Sequence, residues 1–161
     1  LLQALSIIDN SNLTVLFVGD GPERSNMEEY VNNNNNNINA IFVGFKNQIE
    51  ISKYYTISNL NIVISDYDPS PKAMNEAMNF ELPIIVTDVI GTSSDLVKNG
   101  KNGFIVKVGD IKTIASKIDF LNKNRDVSNQ MEKKSLEIVD QWTFEKDAYW
   151  IAKAVEIIME K

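Results

Sequence analysis

Five short apolar runs, mostly β-branched, recur along the chain at residues 14–18 (TVLFV), 40–43 (AIFV), 62–64 (IVI), 83–87 (PIIVT) and 104–108 (FIVKV). Runs so nearly continuous in apolar character predict strands covered on both faces, the condition of strands in a parallel sheet. Between them, helical patterns fall at about 2–8, 23–31, 46–58, 70–80 and 93–99. Parallel strands need a crossover rather than a tight turn, so this alternation predicts βαβ units in an α/β, doubly wound, mostly parallel sheet. Only helices follow the last strand. Asp110 is placed to cap 111–123, where Ile111, Ile114, Ala115, Ile118 and Leu121 recur at helical spacing, and a second helix is expected at about 126–139.

The last helix, from about Thr143, carries Phe144, Ala148, Ile151, Ala152, Val155, Ile158 and Met159 on one stripe and Trp150, Ala154 and Ile157 on another. Two apolar sides predict contact with two bodies, and burial in the domain's own core is the competing reading. Asn32 to Asn37 is an unbroken asparagine run, poor in helix and strand propensity, and reads as a loop insertion without chemistry. Asn99-Gly100 and Asn102-Gly103 are turn signals before the fifth strand.

The whole chain, 1–161, is expected to form one domain, since its length suffices for a sizeable core. It contains no cysteine, which removes disulfides and thiolate chemistry and suits a reducing compartment. It contains no histidine, which removes the usual general base and most transition-metal sites. A formal net charge of −6, with 16 basic residues spread thinly, argues against general nucleic-acid binding. Neither a signal peptide nor a transmembrane segment is visible, so a cytoplasmic setting is expected.

The chemistry concentrates in the stretch from Ser65 to Met78, SDYDPSPKAMNEAM. A strand feeds a loop and then a helix, with Ser70 read as the N-cap and Pro71 as the first helical residue. Asp68 then precedes the helix and Glu76 lies within it. The first turn of a helix leaves amides unpaired and carries the positive end of the macrodipole, so it attracts anions such as phosphate. Pro69 and Pro71 have no N–H, which leaves the amides of Ser70, Lys72 and Ala73, beside the positive charge of Lys72. Two carboxylates there are able to accept hydrogen bonds from sugar or ribose hydroxyls while the amides hold phosphate. The plainer reading is that Asp68 caps the helix and Glu76 is an ordinary surface residue.

Ligands of open parallel sheets bind at the carboxyl ends of the strands. Gly19 and Gly21 follow the first predicted strand, Gly44 the second, residues 65–72 the third and Gly91 the fourth, so these loops share one rim. Glycines let backbone approach a ligand closely, and tight turns alone account equally well for each of them.

The ordered set Leu16-Phe-Val-Gly-Asp-Gly-Pro22, Ile41-Phe-Val-Gly44, Ile64 to Pro71, Asn75-Glu-Ala-Met-Asn79, Leu82 to Thr87, Gly91 and Asn102 to Val106 resembles the C-terminal, donor-binding domain of group 1 retaining GT-B glycosyltransferases. The likeness runs in order over about residues 1 to 122 and implies a Rossmann-like sheet. In that family an E-x7-E motif follows the fourth strand, and Asp68 and Glu76 occupy its two positions as the catalytic pair. The resemblance implies that Glu76 holds the ribose hydroxyls of a nucleotide-diphosphate sugar. Asp68 and the amides of Ser70, Lys72 and Ala73 would meet the transferred sugar and the phosphates. Gly19, Gly21, Val43 and Gly44 would border the nucleotide, with the stretch from Phe42 to Phe45 against its base. The departure is aspartate where glutamate is usual, one methylene shorter in reach.

The resemblance further implies transfer with retention, a donor that is a substrate rather than a cofactor, and no obligatory metal. Asp66-x-Asp68 offers a competing metal-binding reading through hard carboxylate oxygens. The family's diphosphate-binding Arg and Lys, its first strand and its N-terminal acceptor domain all lie upstream of the position matched by Leu1. The expectation is therefore a fragment that does not transfer sugar alone, whose exposed surfaces promote self-association. In the full-length enzyme, attachment at the periphery of a membrane and a role in polysaccharide synthesis follow from family habit. The rivals are a non-catalytic nucleotide-binding or regulatory α/β domain and a phosphosugar epimerase of the same architecture, the latter disfavoured by the absence of histidine.

Overall fold

A computed structural model of the chain describes residues 1–9, 13–33 and 38–159. In chain order the elements are α1 (Leu2–Leu5), β1 (Thr14–Val18), α2 (Arg24–Asn33), β2 (Asn39–Gly44), α3 (Gln48–Ile57), β3 (Asn61–Val63), α4 (Lys72–Asn79), β4 (Ile84–Thr87), α5 (Ser93–Leu96), β5 (Gly103–Val106), α6 (Ile111–Lys123), α7 (Arg125–Val139) and α8 (Phe144–Met159). All strand pairs are parallel.

The expected α/β, parallel architecture is present, with the strands hydrogen-bonded in two groups, β1-β2 and β3-β4-β5. The two share their helical layers. Ile84 and Val86 of β4 pack with α3, α4 and α7, whereas Ile85 faces α1 and α6, as the two-residue repeat of a strand requires. Val15 and Phe17 of β1 join the same α1/α6 layer as Ile62 and Ile64 at β3. The helix α2, which connects β1 to β2, lies on that face, while α3, which connects β2 to β3, lies on the other. Right-handed crossovers on opposite faces run in opposite directions, so the chain steps from β1 outward to β2 and then back past β1 to β3. The edges of β1 and β3 that this return brings toward one another carry no strand between them among the described residues.

Local chemistry explains the element ends. Asn47 caps α3 by accepting from the amides of Ile49 and Glu50 at 3.0 and 2.9 Å, while Glu50 accepts from the Asn47 amide, a capping box. Asp110 caps α6 through the Thr113 amide at 3.0 Å, and that bond lowers its pKa. The Asn102-Gly103 signal does more than turn the chain. Fully buried Asn102 accepts from the Lys98 amide at 2.7 Å and donates to the Leu96 carbonyl at 3.0 Å. A Cβ on Gly103 would lie 1.9 Å from the Ile84 carbonyl oxygen, so only glycine lets β5 pair with β4 here.

Two readings change. Asn32 and Asn33 end α2 as helical residues, against their loop reading, and 34–37 lie outside the described residues. The helix α8 buries none of its residues, so burial in the domain's own core is overturned. Phe144 is 90% exposed and both apolar stripes face solvent. No helix among the described residues is long and apolar enough to cross a membrane.

Candidate nucleotide-sugar site

The exit of β3 is held from β4. Thr87, fully buried, donates its hydroxyl to the Ser65 carbonyl at 2.7 Å and accepts the Ser65 amide at 3.2 Å. Beyond this point Asp68 is fixed twice. Its carbonyl accepts the Gly91 amide at 3.1 Å, and its carboxylate Oδ1 accepts the Ser70 amide at 3.0 Å. Gly91 permits the first contact, since a Cβ there would lie 2.5 Å from the Pro69 carbonyl oxygen. The loops after β3 and β4 are thereby stapled together at the carboxyl end of the sheet.

The start of α4 differs from its sequence reading. Pro71, not Ser70, is the N-cap, and no side chain caps the helix. The cause is local: Asp68 captures the Ser70 amide and closes an Asx turn, which leaves Ser70 outside the helix. The predicted cradle of three amides is therefore reduced to two, those of Lys72 and Ala73, which have no acceptor among the described residues. The side chain of Lys72 is exposed beside them.

Glu76 sits on the second turn of α4 and is half-buried. Its Oε2 accepts the Tyr55 hydroxyl of α3 at 3.0 Å. Tyr55 is 7% exposed and stacks on Phe80, with ring centroids 5.4 Å apart. Burial first, then the hydrogen bond and the charge of Glu76, push the phenol well above its ordinary pKa. A cavity of about 260 Å³ opens beside the pair, lined by Gln48, Ser52, Tyr55, Glu76 and Asn79 among others. Asp68 lies outside that cavity. The two carboxylates thus flank the free amides along the chain, each immobilised by a different partner.

On the neighbouring strands, the Gly19 amide donates to the Gly44 carbonyl at 3.0 Å where the β1-β2 register shifts. Gly44 has φ of +78°, which favours glycine; an added Cβ on Gly21 would meet open space, so the fold itself does not require glycine there. Val43 is half-buried in β2, and Phe45 just beyond it is 76% exposed. Sequence reasoning missed Arg24. Its guanidinium donates to Glu28 at 2.8 Å and to the Phe42 carbonyl at 3.5 Å, and lies 3.9 Å from Asp20, so it ties the loop after β1 to the end of β2. The available signal was its place in the first turn of a helix after Gly-Asp-Gly-Pro. Tyr67 stands 80% exposed in the loop after β3.

Comparison with known proteins gives the family and the fold. The sequence profile described as Glycosyl transferases group 1 matches residues 1–137. N-acetyl-alpha-D-glucosaminyl L-malate synthase of Bacillus anthracis is 27% identical over 87% of this chain and 36% of its own length. The capsular polysaccharide biosynthesis glycosyltransferase CapM of Staphylococcus aureus is 30% identical over 75% of this chain and 32% of its own. HepE of Anabaena, solved with UDP, superposes with a TM-score of 0.79 at 21% identity, covering 97% of this chain and 44% of that one, which shows a shared GT-B fold. The chain spans about a third of the length of the curated relatives it matches.

Proposed function

This chain belongs to the group 1 glycosyl transferases, and we propose that within that family it is the part that binds a nucleotide-diphosphate sugar for retaining transfer. One observation carries the reading: the unpaired amides of Lys72 and Ala73 lie at the start of α4, between two carboxylates held in place. The diphosphate would meet those amides and Lys72, the ribose hydroxyls Glu76, and the sugar Asp68. The nucleotide base would lie near Gly19, Gly44 and exposed Phe45, and Ser70 would contribute its hydroxyl rather than its amide.

In the transfer step the bond from the anomeric carbon to the phosphate oxygen breaks and its electron pair leaves with the diphosphate. The acceptor oxygen bonds to that carbon on the same face and passes its proton to the departing phosphate oxygen. Charge grows on the leaving diphosphate, so donors already fixed there lower the barrier without reorganising. In this reading amides and Lys72, not an obligatory metal ion, supply that stabilisation. The acceptor would be bound by a further domain, to which the exposed apolar face of α8 is suited, and copies of the chain would meet through that face when it is uncovered. The setting we infer is cytoplasmic, which the absence of cysteine supports, with the whole enzyme working in polysaccharide synthesis as CapM does by its name.

Calorimetric titration with UDP, GDP and ADP tests the site. One of them is expected to bind, with affinity falling at least tenfold in Glu76→Ala, the size of a lost charge-assisted hydrogen bond. Binding indifferent to Glu76→Ala, or no binding of any of the three, overturns the reading.

A further inference from the structure

A glutamate on the second turn of a half-exposed helix face ordinarily samples several rotamers, yet Glu76 is held by a group that cannot follow it. Tyr55 has only two side-chain torsions, is almost wholly buried and is clamped against Phe80. Its hydroxyl reaches Glu76 Oε2 at 3.0 Å across 21 residues of sequence, from α3 to α4. No other side-chain or backbone hydrogen bond holds the Glu76 carboxylate among the described residues.

We propose that Tyr55 is the positioning residue for Glu76, fixing Oε2 against α3 so that the rest of the carboxylate is presented, in one orientation, to a vicinal diol of the ligand. Each carboxylate oxygen accepts two hydrogen bonds, so one bond from Tyr55 leaves three acceptor positions, enough for two neighbouring hydroxyls. A phenol is protonated, and hence a donor, throughout the neutral range, and its raised pKa extends that range upward. Preorganisation of this kind lowers the ordering cost paid when a ligand binds. The identity of the ligand rests on the donor-binding reading above; the Tyr55–Glu76 bond does not.

The test uses Tyr55→Phe, which keeps the ring and its stack and removes only the hydroxyl. Titrated with whichever of UDP, GDP and ADP binds, the parent is expected to bind about tenfold more tightly than Tyr55→Phe, the lower end for a bond to a charged group. Added to Glu76→Ala, the same substitution should weaken binding no further, which a merely structural role would not produce. An unchanged affinity in Tyr55→Phe, or a loss that adds fully to that of Glu76→Ala, overturns the proposal. Carbon-13 NMR of the tyrosine ring, with no nucleotide present, reads the bond separately. The Tyr55 phenol should titrate at lower pH in Glu76→Gln than in the parent, and an unmoved titration overturns the contact. If none of UDP, GDP and ADP binds the parent while the phenol shifts, the donor reading fails, and with it the role toward a ligand diol, while the bond stands.

Discussion

The two sheets of this molecule are built from similar sequences and end in different states. In β4 every residue from Ile84 to Thr87 is buried, because β3 and β5 pair with both of its edges and helices cover both of its faces. In β1 and β2 no residue is fully buried, although TVLFV is as apolar as IIVT. Burial therefore follows how completely a strand's edges and faces are covered, not its own hydrophobicity alone. The site inherits this asymmetry. The loop carrying Asp68 is anchored on β4 through Thr87 and on the loop after it through Gly91, whereas the Gly19 and Gly44 loops hold chiefly each other and Arg24.

The sharpest way to break this comparison is one substitution made in both halves. Val86→Ala removes two methyls from a site with no exposure and should cost about 2–3 kcal/mol. Val15→Ala, at a half-buried position, should cost about 1 kcal/mol or less. Urea denaturation measures both, and equal losses would refute the asymmetry. Next in size is a pair of glycines. Gly91→Ala forces a carbon toward the Pro69 carbonyl oxygen and should cost about 1–3 kcal/mol while loosening the Asp68 loop. Gly21→Ala meets open space and should stay within about 0.5 kcal/mol by the same measurement.

The smallest effect concerns α3, which packs on β1 and reaches α4 through Tyr55. The folded-state pKa of Tyr55 lies above the unfolded value near 10, so its contribution is complete below pH ~10 and is lost as pH rises toward the folded value. Melting temperature followed from pH 8 to 11 should fall more gently in Tyr55→Phe than in the parent. Parallel curves would show that the hydroxyl does not link α3 to α4 in solution.

Much of this was open to reading in the chain itself. The strand at 14–18 and the helix at 111–123 appear at their predicted bounds, because apolar spacing and an aspartate cap are local signals. The family was carried by ordered motifs, and its profile covers most of the chain. The misplaced cap at Ser70 shows where local reading stops: serine is a good cap in isolation, but a carboxylate two residues earlier took its amide.

Amino-acid order by itself thus determined the alternation of elements, the glycines and acids that follow the strands, and the absence of histidine and cysteine chemistry. Tertiary structure decided which strands pair, which amides at α4 stay free, that α8 remains uncovered, and that Tyr55 holds Glu76. The reason is physical. Helix and strand patterns depend on neighbours a few residues apart, whereas pairing, burial and the aim of a side chain depend on groups that meet only after the chain has folded.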